Sequence, residues 1–164
     1  MKEVKVYDNF LSSYHFNLIE SFFMGGHVPW FWKDTVVYDN ERGDDYQFNT
    51  SIFKEGRKYE PFSLIEPCIP KLGCSALGRI KANCRPKTLF HRRTRYHTDY
   101  PDPRNLFTSI FYINTNNGWT DIKGHGKVKS VANRMVVFPG SLKHRGVSCT
   151  DQRKRVVINF NYEK

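Results

Sequence analysis

From residue 78 onward the chain alternates apolar and polar positions in short runs, each closed by a turn signal. The alternation predicts strands at Gly78–Cys84, Thr94–Asp99, Leu106–Ile113, Lys127–Ser130, Arg134–Phe138, Gly146–Cys149 and Val156–Tyr162. Arg85-Pro86, Pro101-Asp102-Pro103, Asn116-Asn117-Gly118, the Gly124–Gly126 turn and Pro139-Gly140 separate them. Upstream, residues 8–24 predict a short strand and then a helix. Ser12 or Ser13 is its N-cap, Phe16, Ile19 and Phe23 with Leu18 and Phe22 form an apolar stripe, and Gly25-Gly26 is the stop. These aromatics read as core. The polar, acidic stretch 39–49 is expected to be a mobile hairpin or lid between two strands, flanked by Trp30-Phe31-Trp32 and by Phe48 to Phe53. Residues 59–77, with three prolines, predict a loop and a short helix outside the sheet.

Many short strands at such spacing predict a mainly β fold with flanking helices, closed as a sandwich or barrel. At 164 residues the chain is expected to form one domain, residues 1–164, large enough to bury a core. In this reading a helical and lid segment, 1–77, packs on a β core, 78–162.

Composition adds little beyond excluding alternatives. Hydrophobic residues make up 39% and aromatics 15%, which is a globular rather than a disordered balance. No apolar run approaches the roughly 20 residues of a membrane span, so no membrane partner is expected. The amino end carries charges where a signal peptide would be apolar, which points to a cytoplasmic protein. Cys68, Cys74, Cys84 and Cys149 lack C-x-x-C spacing and read as reduced thiols rather than a zinc site. The net charge of +10 is uneven: residues 54–95 carry eleven Lys/Arg against three Glu, and residues 1–53 carry four against eight acids. Such a cationic surface steers acidic substrates or nucleic acid, or simply keeps the protein soluble.

The candidate chemistry lies in the last third. Side chains two apart on a strand share a face, so His97 and Asp99 can converge on one point. His144, from a distant turn, would complete two imidazoles and one carboxylate. Bound to one side of a metal, that set leaves coordination positions open and suits non-haem Fe(II) and oxygen chemistry. Arg155 opens a strand that alternates Arg155, Val157, Asn159 and Asn161 against Val156, Ile158 and Phe160. Facing inward, its guanidinium needs an anion, which the far carboxylate of a dicarboxylic co-substrate would supply. Arg153 and Lys154 are rival anchors, but Lys154 has the wrong parity and Arg153 lies nearer the turn.

On HTD at 97–99, SIFYIN at 109–114, NRMVVFPGSLKH at 133–144 and KRVVINFNY at 154–162, the chain resembles the prolyl 4-hydroxylase-like branch of the 2-oxoglutarate/Fe(II)-dependent dioxygenases, especially the small stand-alone type of aquatic bacteria and their phages. The resemblance runs from about Gly78 to Tyr162 and implies a double-stranded β-helix (jelly-roll) core. It implies Fe(II) held by His97, Asp99 and His144, and the C5 carboxylate of 2-oxoglutarate held by Arg155 and the hydroxyl of Tyr112. Asn83 is a further candidate for the C1 end, and ascorbate a candidate activator. The implied reaction consumes O2 and 2-oxoglutarate, releases succinate and CO2, and hydroxylates a substrate C–H bond. A protein prolyl residue is the substrate of the nearest branch; a small molecule stays open. The basic run Phe90-His91-Arg92-Arg93-Thr94-Arg95-Tyr96 departs from the family and admits nucleic acid as a third class. A jelly-roll binding module without catalysis is the remaining alternative. His91 and His125 read as a loop and a turn residue.

Overall fold

The structure is a computed structural model that describes residues 3–35, 46–100 and 105–164. Its strands are β1 (Lys5–Tyr7), β2 (Phe31–Lys33), β3 (Gln47–Lys54), β4 (Arg57–Lys58), β5 (Ala76–Pro86), β6 (Leu106–Tyr112), β7 (Trp119–Ile122), β8 (Gly126–Lys129), β9 (Arg134–Pro139), β10 (His144–Val147) and β11 (Lys154–Glu163). Its helices are α1 (Ser13–Met24), α2 (Phe62–Ile65) and α3 (Cys68–Leu72). None of these helices is long and apolar enough to cross a membrane.

The strands pair antiparallel into a large sheet of order β1-β9-β6-β11-β5-β3-β2, with β4 hanging on β3, and a small sheet of order β10-β7-β8. Two facing antiparallel sheets of this kind make the expected jelly roll. Alternation decides what each face of the large sheet meets. Phe111, Met135, Val137, Val156, Ile158 and Phe160 point to one side, where they pack with Phe16, Ile19 and Phe23 of α1 and with Phe62, Ile65, Cys68 and Leu72 of α2 and α3. Ile110, Tyr112, Val136, Phe138 and Val157 point to the other side, toward Ile122 and Val128 of the small sheet. Helices therefore cover one face of the large sheet, and the cleft between the two sheets opens on the other. Ile158 is fully buried at the centre of the helix-covered face. Ile158→Ala should lower unfolding stability by about 2–5 kcal/mol, read by denaturant titration, through lost transfer energy and the cavity it leaves.

Several expectations are corrected here. Residues 1–77 do not merely pack on a β core, because β1, β2 and β3 are strands of the large sheet itself. Gln47, Phe48 and Asn49, read as part of the acidic loop, begin β3; residues 39–45 and the turn 101–103 lie outside the described residues. Ser12 is the N-cap of α1, its hydroxyl accepting from the His15 backbone amide, but Leu18 of the predicted stripe faces solvent. Thr94–Asp99 is not a strand: single antiparallel bridges tie Arg93 to Val147 and His97 to His144. β7 was not anticipated, and β10 starts at His144, two residues before the predicted strand. All four cysteines are free thiols.

Candidate metal centre

His144 opens β10 with its backbone amide donating to His97 O at 2.9 Å, while His97 N donates back to His144 O at 3.0 Å. This reciprocal pair brings two residues 47 positions apart side by side, with ring centroids separated by 4.4 Å. Asp99 follows, and the Nε2 of His144 stands 3.8 Å from its Oδ2. One ligand atom from each of His97, Asp99 and His144 lies within 4.8 Å of the others. Parity on a strand predicted the pairing of His97 with Asp99. The structure reaches the same convergence through a bridged loop.

Hydrogen bonds fix His144 and Asp99 in place. The Nδ1 of His144 donates to Leu142 O at 3.0 Å, which leaves Nε2 as the nitrogen that faces Asp99. That nitrogen is buried and has no hydrogen-bond partner among the described residues. Oδ2 of Asp99 accepts from Thr108 Oγ1 at 2.6 Å and from Asn161 Nδ2 at 2.9 Å. Asn161 in turn accepts from Arg79 Nη2 at 3.1 Å. Burial pushes the Asp99 carboxyl up, but His144, Thr108 and Asn161 outweigh it and hold the group below the usual carboxylate value. Burial, reinforced by His144, pushes His97 down to about 4, so its imidazole is neutral at pH 7. A neutral imidazole, an ionised carboxylate and an orphaned buried nitrogen are the donor set that a divalent cation needs. The residues fit an Fe(II) ion.

Arg155 lies in the same cleft. A cavity of about 60 Å³ is lined by the three candidate ligands and by Lys81, Asn83, Arg85, Thr120, Arg155, Val157 and Asn159, among others. Arg155 is 4% exposed; its Nε donates to Ser130 Oγ at 2.9 Å and its Nη2 to Thr120 Oγ1 at 3.2 Å. No carboxylate among the described residues pairs with it. Burial pushes the guanidinium down to about 10, opposed by Tyr112 and aided by Arg85 on the opposing rung of β5, so it remains charged. Gly118 makes room for its stem, since a Cβ there would lie 2.9 Å from Arg155 Cδ. Lys154 points to the other face, where Nζ donates to Phe23 O at 3.4 Å, and Arg153 is exposed. Of the three rival cations, only Arg155 enters the cleft.

Tyr112 does not line the cavity. Its hydroxyl is buried and donates to Thr120 Oγ1 at 2.7 Å, so Thr120, which sequence reasoning passed over, stands between Tyr112 and the cleft. Tyr112→Phe should therefore shift the 2-oxoglutarate KM less than about threefold, whereas Thr120→Val should shift it more, as steady-state kinetics will read. Asn83 does line the cavity, with its side-chain oxygen buried and without a hydrogen-bond partner among the described residues. His91 lies outside the cleft, its Nδ1 2.8 Å from Ser148 O and its ring edge-on to Trp119. Thr108, Asn161, Ser130 and Lys81 also escaped the sequence reading. The parity of β11 put Asn161 on the Arg155 face, the one local signal available.

No protein-family model matches the chain, and no curated protein matches its sequence. Solved structures do. A prolyl-4-hydroxylase from Pseudomonas putida is similar with a TM-score of 0.65, at 14% identity over 100% of this chain and 94% of that one. A Trichoplax adhaerens prolyl hydroxylase in complex with a hypoxia inducible factor peptide fragment is similar with a TM-score of 0.62, at 16% identity over 99% of this chain and 84% of that one. The non-haem α-ketoglutarate-dependent epimerase SnoN, from nogalamycin biosynthesis, is similar with a TM-score of 0.70, at 11% identity over 99% of this chain and 78% of that one. At such identities the likeness is one of fold: the chain has the prolyl-4-hydroxylase-like jelly roll of the 2-oxoglutarate/Fe(II) oxygenases.

Proposed function

From a chain with the jelly roll of the 2-oxoglutarate/Fe(II) oxygenases, we propose that it is a dioxygenase that hydroxylates a C–H bond of its substrate. The observation that carries the reading is one cleft holding both halves of the machinery. His97, Asp99 and His144 converge in it, and Arg155 lines it with no carboxylate partner among the described residues. His97, Asp99 and His144 would hold Fe(II), which when bound supplies the oxidation of 2-oxoglutarate by O2 to succinate and CO2 together with the attack on the substrate C–H bond.

The protein's own residues bind and orient. Thr108 and Asn161 fix the Asp99 carboxylate so that it meets the metal in one geometry, and Leu142 O fixes the tautomer of His144. Arg155 would take the C5 carboxylate of 2-oxoglutarate through two parallel N–H donors, with Ser130 and Thr120 holding the guanidinium in plane. Asn83 would meet the C1 end. Because Thr120 already accepts from both Tyr112 and Arg155, its own proton is free to reach the same carboxylate.

A peptide prolyl residue is the first substrate to test, because two of the similar structures are prolyl hydroxylases. A small molecule is the second, on the likeness to SnoN. The experiment is succinate release from 2-oxoglutarate on adding Fe(II) and ascorbate aerobically, with and without proline-containing peptides. Turnover even without a primary substrate supports an oxygenase. No Fe(II)-dependent succinate under any condition leaves the fold as a binding module. Substrate-stimulated turnover by oligonucleotides, falling steeply with salt, would instead support a nucleic-acid oxygenase.

A further inference from the structure

Lys81 is a charged group of the cleft that this oxygenase machinery does not use. It sits on the cleft face of β5, half-buried, and lines the cavity beside the metal ligands. Its ammonium has no hydrogen bond and no carboxylate within 4.0 Å among the described residues. Its neighbours in the sheet bring no anion, and Asp99 across the cleft acts on it only from beyond ion-pair distance: Asn159 stands across the rung on β11 and Ser51 across the rung on β3, with Arg79 and Asn83 two positions either side. All four are neutral or cationic. An unpaired ammonium in a half-buried cleft costs free energy unless a ligand completes it.

The co-substrate held at Arg155 does not reach this far. The Lys81–Asn159 rung is four residues from the Arg85–Arg155 rung, about 13 Å along the strand, and a five-carbon diacid spans about half of that. The second feature is Asn159, which lines the cavity and whose side-chain oxygen is buried without a hydrogen-bond partner among the described residues. It needs a donor. 2-Oxoglutarate brings anions but no N–H, whereas a carboxylic acid next to an amide brings both at the short separation of Lys81 and Asn159 across one rung.

Resting on the oxygenase reading, we propose that Lys81 and Asn159 form the specificity subsite for the primary substrate, pairing with a carboxylate and an adjacent N–H of an acidic peptide or N-acylated amino acid. The charge on Lys81 then selects for substrates with an acid close to the oxidised carbon, and Asn159 sets the direction of the chain.

The test uses Mn(II) in place of Fe(II), with saturating 2-oxoglutarate and no turnover. N-acetylglycine and its neutral counterpart N-acetylglycinamide are followed by the paramagnetic relaxation of their acetyl protons, and inorganic phosphate by ³¹P relaxation. The acid should relax at least about fivefold faster than the amide in the wild-type protein. Lys81→Met should erase the difference and Lys81→Arg keep it, with 2-oxoglutarate affinity changed less than about twofold in both. The inference is overturned if acid and amide behave alike, if phosphate alone shows the Lys81-dependent effect, or if Lys81→Met weakens 2-oxoglutarate tenfold. Should wild-type protein take up neither Mn(II) nor 2-oxoglutarate, the oxygenase reading is what fails. Calorimetric titration of the metal-free protein with N-acetylglycine then decides the subsite: binding lost in Lys81→Met upholds it, and no difference between the two proteins overturns it.

Discussion

Arg155→Met is expected to raise the dissociation constant of 2-oxoglutarate by at least about 100-fold while leaving metal affinity nearly unchanged. The guanidinium would make two charge-assisted hydrogen bonds to one carboxylate, and such bonds are worth about 1.5–3 kcal/mol each. In the free protein the same guanidinium is buried with two hydroxyls and the Tyr112 ring beside it but no carboxylate among the described residues, so its charge is a burden there. Met keeps most of the stem volume beside Gly118 and removes that charge. The melting temperature without 2-oxoglutarate should therefore hold or rise, and only the stabilisation added by 2-oxoglutarate should vanish. A paired measurement of Tm with and without the diacid separates the two effects. A fall in Tm with 2-oxoglutarate binding intact would show Arg155 to be a structural cation instead.

Replacing His144 should have the complementary effect. Its ring packs on Phe138 at 4.9 Å and on His97 at 4.4 Å and is 2% exposed, so His144→Ala opens a cavity as well as removing a donor. His144→Gln keeps much of the volume and is the cleaner variant. Because the Nε2 of His144 has no hydrogen-bond partner among the described residues, the metal-free protein should tolerate the change at modest cost. Metal affinity should fall by at least about 100-fold, more than losses seen when only a supporting residue of a metal ligand is removed. Equilibrium dialysis against Mn(II) or anaerobic Fe(II) reads the loss directly, without reference to activity.

How much of this was readable from residues alone depends on how local each cause is. Alternation in Lys154–Glu163 separates Arg155, Val157 and Asn159 from Val156, Ile158 and Phe160, and that split is where the cleft and the helix-covered core fall. It also sufficed to set Lys154 aside. The segment carrying His97 and Asp99 defeated local reasoning, because its two bridges come from Val147 and His144, some 50 residues downstream. The partners of Asp99 lie nine residues on, in β6, and 62 residues on, in β11, and no spacing rule foretells them. The contact that Tyr112 makes was hidden for a similar reason. Its strand and face are legible, but the interposed hydroxyl belongs to Thr120 on a strand that the sequence concealed. Lys81 sits in a strand that was anticipated, yet its lack of a partner emerges only once β3 and β11 flank it.

The central claim is that His97, Asp99 and His144 form one metal centre with the 2-oxoglutarate site of Arg155 beside it. Anaerobic titration of the metal-free protein with Fe(II), followed by 2-oxoglutarate, tests it most directly through the visible charge-transfer absorption that a chelated 2-oxoglutarate gives. The account predicts one Fe(II) per chain and a band that is absent in both His144→Gln and Arg155→Met at 2-oxoglutarate concentrations saturating for the wild type. Fe(II) uptake and an undiminished band in His144→Gln would contradict it.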